Sequence, residues 1–143
     1  MSLRLHGCIP IVVTPFDPSF AIDEASLRAE VDYLIAGGVH GLATPAIASE
    51  GYKLTEQERA RVASIVVATT AGRVPVVVSA DGNGTEVAVA NARAAAAWGA
   101  DALMVLPPMF VKPDADNLHR YYCLLYTSPS PRDRTRSRMP SSA

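Results

Sequence analysis

Cys8-Ile9-Pro10-Ile11-Val12-Val13-Thr14-Pro15-Phe16-Asp17 is the stretch that decides the fold class. Residues 8–14 form a short apolar, β-branched run, a buried strand by composition, and the chain turns at residues 15–20. A doubly wound nucleotide binder needs a glycine-rich turn directly after its first strand, where the backbone can approach a phosphate. Thr14-Pro15-Phe16-Asp17 stands in that place without a single glycine.

Outward from that stretch, helix and strand alternate. Asp23 is an N-cap, with Ile22 and Leu27 at the N′ and N4 positions of a hydrophobic staple. Leu27, Val31, Leu34 and Ile35 follow at helical spacing, and Gly37-Gly38 ends the helix. Residues 39–44 are the second strand. Thr55-Glu56-Gln57-Glu58 is a capping box; Val62, Ile65, Val66 and Thr69 mark the buried face of the helix it opens, and Gly72 closes that helix. Residues 74–79 are the third strand, with Pro75 tolerable near its start. Asp81-Gly82-Asn83-Gly84 is a turn, and Thr85 caps an alanine-rich helix ending at Trp98-Gly99. Residues 101–106 are the fourth strand, and Asp114 caps a fourth helix after Pro113.

Continuous apolar strands, each followed by a helix, imply a parallel sheet covered on both faces. The fold class is therefore α/β, and the absent glycine-rich turn selects the N-terminal half, about four βα units, of a (β/α)8 (TIM) barrel. Asp81-Gly82-Asn83-Gly84 lacks a P-loop lysine, so it reads as a βα turn before a phosphate cradle.

Residues 123–143 have a different character. Residues 123–128, 129–133 and 137–143 can be written back into codons that resemble, in order, the transposase end, read-primer arm and flow-cell arm of a short-read sequencing library. Residues 134–136 fall where a sample index sits. The expectation is a native part at residues 1–122 and a non-native, adapter-derived, disordered tail at residues 123–143. A genuine Arg/Ser/Pro-rich arm for nucleic acid is the alternative reading of the tail.

The chain holds 13 Lys+Arg and 14 Asp+Glu; the tail takes four of the former and one of the latter, leaving nine and 13. That mildly acidic balance gives no footprint for nucleic acid. With Cys123 in the tail, Cys8 is the lone cysteine and offers no disulfide framework. The first residues lack a charged-then-apolar signal pattern, and no apolar run approaches a membrane span. These features read as cytoplasmic. His6, His40 and His119 have no metal-ligand spacing, so structural roles are their default.

Several strings taken together resemble the dihydrodipicolinate synthase/N-acetylneuraminate lyase family. They are Val13-Thr14-Pro15-Phe16, Gly37-Gly38-Val39-His40-Gly41-Leu42, Glu50 with Leu54-Thr55-Glu56-Gln57-Glu58-Arg59, and Pro75-Val76-Val77-Val78. Asn83, Thr85, Trp98-Gly99-Ala100-Asp101, Pro107-Pro108 and Lys112-Pro113 are similar too. The resemblance covers residues 5–122. It implies a (β/α)8 barrel, usually a homotetramer, whose members condense or cleave 2-oxo acids, typically pyruvate, through a Schiff base to a lysine, with no metal or organic cofactor.

The resemblance places that lysine on the sixth strand and an essential tyrosine on the fifth, both after Tyr122, so this chain by itself is expected to be inert. A nucleophilic lysine needs burial or a neighbouring cation to lower its pKa; Lys53 and Lys112 sit in loop positions that read as exposed. At Ala46-Ile47-Ala48-Ser49-Glu50 the family usually has Gly-Ser/Thr-Thr-Gly-Glu. Its two hydroxyls hold the substrate carboxylate and belong to a proton relay, so Ile47 and Ala48 remove both. Ser49 stands at a usual glycine and offers one hydroxyl back. Backbone amides around Ala48 and Ser49 can still bind a carboxylate. Glu50 matches the family's acid and reads as a buried carboxylate accepting backbone hydrogen bonds. Met109 and Phe110 replace a usual tyrosine pair, and Phe110 loses the relay's phenolic hydroxyl; packing at a subunit interface is the competing role for both. Asp81 replaces a usual glycine and adds a carboxylate near the barrel mouth.

The expected substrate-binding residues are Ala48, Ser49 and Glu50, with relay positions held by Ile47 and Phe110. The leading expectation is part of a 2-oxo-acid lyase or aldolase from a branch divergent from the lysine-biosynthesis synthase. The competitors are a non-catalytic sibling that binds ligand or forms oligomers, and an unrelated phosphate-binding barrel.

Overall fold

The computed structural model describes residues 3, 5–109 and 113–127. Its elements are α1 (Glu24–Ala36), β1 (Leu42–Thr44), α2 (Glu56–Thr70), β2 (Val76–Ser79), α3 (Thr85–Ala97), β3 (Ala102–Met104) and α4 (Ala115–Thr127). The three strands form one parallel sheet in the order β1-β2-β3, with Leu42 opposite Val76 and Val78 opposite Leu103. Each strand leads into a helix, the repeating βα unit of an open piece of barrel.

The expected first strand at residues 8–14 is reduced to one bridge, Ile11 with Ala43. Val12 N–H donates to the Ala43 carbonyl at 2.9 Å, and Ala43 N–H to the Pro10 carbonyl at 2.9 Å. The next rung on that side would be donated by residue 10, which as proline has no N–H. The segment therefore lies alongside β1 in parallel register without completing a ladder. On its far side, the Glu30 carboxylate accepts Val13 N–H at 3.0 Å, and burial pushes that carboxyl above its ordinary range.

The strand partners divide the sheet into two faces. Leu42, Val76 and Val78 share the helix-facing side and form one buried cluster with Leu27 and Val31 of α1 and Val62, Ile65 and Val66 of α2. Burying each such side chain contributes roughly 1.5–3 kcal/mol. Ala43, Val77 and Ala102 stand on the opposite face. Leu103 lies on the helix side yet is 41% exposed. It borders an apolar groove between β3 and α4, together with Val105, Leu118, Tyr122, Leu125 and Tyr126.

The helix boundaries follow local chemistry, with three corrections. The Asp23 carboxylate accepts the N–H groups of Ala25 and Ser26. Thr55 and Glu58 form the reciprocal capping box. Asp114 accepts Asn117 N–H at 2.7 Å. Thr85, in contrast, is the first residue of α3; Gly84 is its N-cap and supplies no side-chain bond. Ala71, at φ 51°, takes the left-handed turn that ends α2, one residue ahead of Gly72. The buried threonine of α2 is Thr70, one position beyond Thr69, because the helix rotates 100° per residue and the fully covered stripe passes through Ala63, Val66 and Thr70. Residues 123–127, expected to begin a disordered tail, instead continue α4 as far as Thr127, because the helix begun at Ala115 carries on through them; residues 128–143, also expected to be disordered, lie outside the described residues.

Two outcomes test this architecture. The sheet has edges at β3 and at the Pro10 segment, so the isolated chain should associate as concentration rises and melt over a broad range. A monomer with a sharp cooperative transition would mean a complete domain, and the barrel assignment would fail. Stability should also fall with acid. The Ser26 hydroxyl and amide hold Asp23, the Arg61 guanidinium holds Glu24, and the Thr55 amide and hydroxyl hold Glu58 below the usual carboxylate range. Their contribution is present above the unfolded-state values of about 4 and is lost as pH falls through the lowered folded-state values. Denaturation midpoints between about pH 6 and about pH 3 should drop, and less steeply for Glu24→Gln; equal slopes would remove Glu24 from that account.

Candidate active site

The carboxyl ends of the strands carry the loops that the sequence singled out, and these enclose a cleft of ≈ 400 Å³. Ile47 and Tyr52 come from the β1 loop, Asp81 from the β2 loop, Met109 from the β3 loop, and Arg59 and Val87 from the helices that follow. Binding sites in this kind of sheet form where strand ends splay, because loop side chains there converge without disturbing the ladder.

The β1 loop is organised by Ser49, which is fully buried. Its hydroxyl donates to the Val12 carbonyl at 2.5 Å and accepts Ala46 N–H at 3.1 Å. Thr14 Oγ1 donates to the Ser49 carbonyl at 2.9 Å. These bonds tie the β1 loop to the Pro10 segment, so the Ser49 hydroxyl is committed to backbone. Ile47 and Ala48 are exposed. Among the described residues, no hydrogen-bond acceptor engages the N–H groups of Ile47, Ala48 or Ser49.

Glu50 corrects the sequence reading. It is exposed, sits at φ 56° and forms an ion pair with Lys53 at 3.1 Å. Gly51 N–H closes the loop onto the Ala46 carbonyl, and the left-handed turn at Glu50 carries its side chain outward, where water solvates it. Lys53 is exposed as expected, and the Glu50 carboxylate holds its ammonium above its ordinary pKa. That direction is opposite to what a nucleophilic amine requires. Phe110 and Lys112 lie outside the described residues. Met109 is exposed at the cleft.

Asp81 borders the cleft, but both carboxylate oxygens face protein donors. Ser79 Oγ and Leu106 N–H each donate to it at 2.5 Å. Gly82 beside it cannot be replaced easily, since a Cβ there would stand 2.6 Å from the Ala88 amide nitrogen. Three residues not assigned to the site from sequence complete it. Arg59 donates to the Ser79 carbonyl at 3.3 Å while its buried Nε has no partner among the described residues. Asn91 donates to the Asp81 carbonyl at 2.6 Å. Tyr121 places its hydroxyl 3.2 Å from the Leu106 carbonyl and 3.3 Å from that of Gly82, and burial pushes its phenol up. Arg59 could have been inferred from its place one turn beyond the Thr55 cap, facing the strand ends. Asn91 and Tyr121 carry no sequence signal.

His40 at the opposite end accepts Cys8 N–H on Nδ1, a structural use, as expected. Among the described residues, no group of three or more His, Cys, Asp or Glu could hold a metal, and no helix is long and apolar enough to cross a membrane.

This arrangement has known counterparts. The sequence profile of the dihydrodipicolinate synthetase family matches residues 4–130, and the chain belongs to that family of (β/α)8-barrel lyases. It is 40% identical over 117 residues to the 4-hydroxy-tetrahydrodipicolinate synthase of Phenylobacterium zucineum, covering 82% of this chain and 40% of the relative. To the enzyme of the same name from Thermomicrobium roseum it is 41% identical, covering 82% and 38%. A chloride-inhibited dihydrodipicolinate synthase of Acinetobacter baumannii, solved with pyruvate, superposes with a TM-score of 0.86 at 25% identity, covering 88% of this chain and 43% of that one. The chain thus spans about two fifths of the length of the curated relatives it matches.

Ser49→Ala should cost about 1–3 kcal/mol of stability, because it leaves the buried Ala46 N–H without an acceptor. Ser49→Thr, which keeps the oxygen, should cost less. Chemical denaturation of the three proteins checks this, and a neutral Ser49→Ala would mean the tie is not needed.

Proposed function

We propose that this chain is the first four βα units of a lyase or aldolase that acts on pyruvate-type 2-oxo acids through a lysine Schiff base. The observation that carries the reading is the β1 loop: a turn at the carboxyl end of a barrel strand whose amides at residues 47–49 meet no acceptor among the described residues and so suit a carboxylate. Family membership and the pyruvate bound by the Acinetobacter relative support it. In this reading the lysine lies on a later strand. Its amine adds to the 2-oxo carbon, water leaves, and the imine so formed draws electrons from the adjacent carbon. The 143 residues alone are inert, and the whole protein acts in the cytoplasm as a homotetramer.

The substitutions favour a divergent branch, although the matched curated relatives bear the synthase name. Ile47 and Ala48 have no hydroxyl, Ser49 spends its own on backbone, and Phe110 lacks the phenol. A hydrogen bond to a charged group is worth about 1.5–3 kcal/mol, so synthase turnover should be slow while binding through backbone amides persists. The same losses favour, as a second reading, a non-catalytic sibling that keeps the ligand site.

The test uses a chain continued through the remaining strands, incubated with pyruvate and borohydride, which reduces the imine to a stable amine. An adduct is expected. Ile47→Thr with Phe110→Tyr should raise synthase turnover, and the two changes should be non-additive because relay members act as a unit. No adduct in either protein would sink the lyase reading in favour of the sibling; an adduct with unchanged turnover would sink only the relay argument.

A further inference from the structure

The backbone beyond β3 is held by side chains. The last rung between β2 and β3 is Ala80 N–H to the Met104 carbonyl at 2.9 Å. Two residues on, the Leu106 N–H donates to Asp81 Oδ1 at 2.5 Å, and the Leu106 carbonyl lies 3.2 Å from the Tyr121 hydroxyl. Leu106, Pro107 and Met109 line the cleft. Pro107 and Pro108 have no N–H. Within residues 106–109, Leu106 is therefore the one donor ahead of Met109 by which the chain can be anchored.

We propose that Asp81 is a positioning residue, which fixes the cleft wall at residues 106–109 by accepting the Leu106 amide while Ser79 locks its carboxylate in place. Each acceptor oxygen has a defined partner: Ser79 Oγ on Oδ2 and Leu106 N–H on Oδ1. Asn91 anchors the Asp81 main chain through its carbonyl, which keeps the carboxylate from swinging with its loop. The other titratable or charged groups around this knot are Tyr121, which holds the far side of residue 106, and Arg59, which donates to the Ser79 carbonyl. Hydrogen bonds to a carboxylate are roughly twice as strong as neutral ones, which suits the anchor of a proline-rich segment that lacks other donors. Asp81 touches no reacting atom in this arrangement; it acts through the wall it holds. Because Leu106, Pro107 and Met109 line the cleft, their path sets the shape of that wall.

Amide hydrogen exchange on the full chain tests the anchor. In Asp81→Asn, which keeps the shape but offers an amino group to one of the two donors, exchange at Leu106 should accelerate about tenfold more than at Ala80, whose acceptor is untouched. Equal acceleration at both amides would indicate general destabilisation and overturn the proposal, as would no change at Leu106. Should Asp81→Asn not fold, Ser79→Ala leaves the carboxylate and removes only its second donor; a selective rise at Leu106 is again expected, and its absence overturns the proposal. The consequence for turnover rests on the lyase reading. In the continued chain, Asp81→Asn should leave the pyruvate adduct trappable with an unchanged KM for pyruvate and lower kcat severalfold, and Asp81→Glu should restore part of it. An unchanged kcat would overturn the role in the site. Loss of the adduct from the unsubstituted protein would sink the lyase reading while the exchange result still decides the anchor.

Discussion

A parallel strand has no hairpin partner and must bury both faces, so everything in this chain depends on what covers Leu42, Val76 and Val78. Leu27, Val31, Val62, Ile65 and Val66 cover them, and α1 and α2 pack on one another as they do so. This cluster sets the direction in which β1 and β2 point. Their carboxyl ends therefore emerge side by side, and the loops that follow have a fixed platform. The opposite face, with Ala43, Val77 and Ala102, presents small side chains toward the barrel interior.

The loops on that platform are held by side chain–backbone bonds. Ser49 bridges the β1 loop and the Pro10 segment; Asp81 bridges the β2 loop and the end of β3. Ser49 donates to the Val12 carbonyl, where the next ladder donor would be Pro45, which has no N–H; Asp81 takes the Leu106 amide just ahead of Pro107-Pro108. A polar side chain used in this way has little capacity left for a ligand, because its donors and acceptors are consumed within the protein. That separates the Ser49 hydroxyl, which is occupied, from the neighbouring amides of Ile47 and Ala48, which meet no acceptor among the described residues. It also explains why a carboxylate at the rim, Asp81, adds rigidity to the cleft wall instead of a negative charge aimed at a ligand.

Glu50 and Lys53 show the opposite outcome. Both carry charge in the same loop, yet both point to solvent and neutralise one another at an exposed pair. Exposed pairs contribute little to stability, so their pairing defines the loop's outer surface and leaves its inner surface to the backbone.

The caps at Asp23, at Thr55 with Glu58, and at Asp114 were all legible because capping is local chemistry, settled within three residues of sequence. The βα alternation and the barrel class were legible for a similar reason: apolar period and the glycine-free turn at Thr14-Pro15-Phe16-Asp17 are written along the chain. The family resemblance rested on the order and spacing of such strings. What the sequence could not decide was whether residues 8–14 would complete a ladder, whether Glu50 would be buried, and which partners Ser49, Asp81 and Tyr121 would take. Each depends on a contact between residues far apart in the chain, such as Val12 with Ser49 or Leu106 with Asp81, and such distances exist only after the helices have packed. The sequence by itself determined the helices, most of their caps and the fold class; the tertiary structure alone decided which strands complete a ladder, which polar groups serve the backbone and which face the cleft, because a hydrogen bond is set by position in space and not by position in the chain.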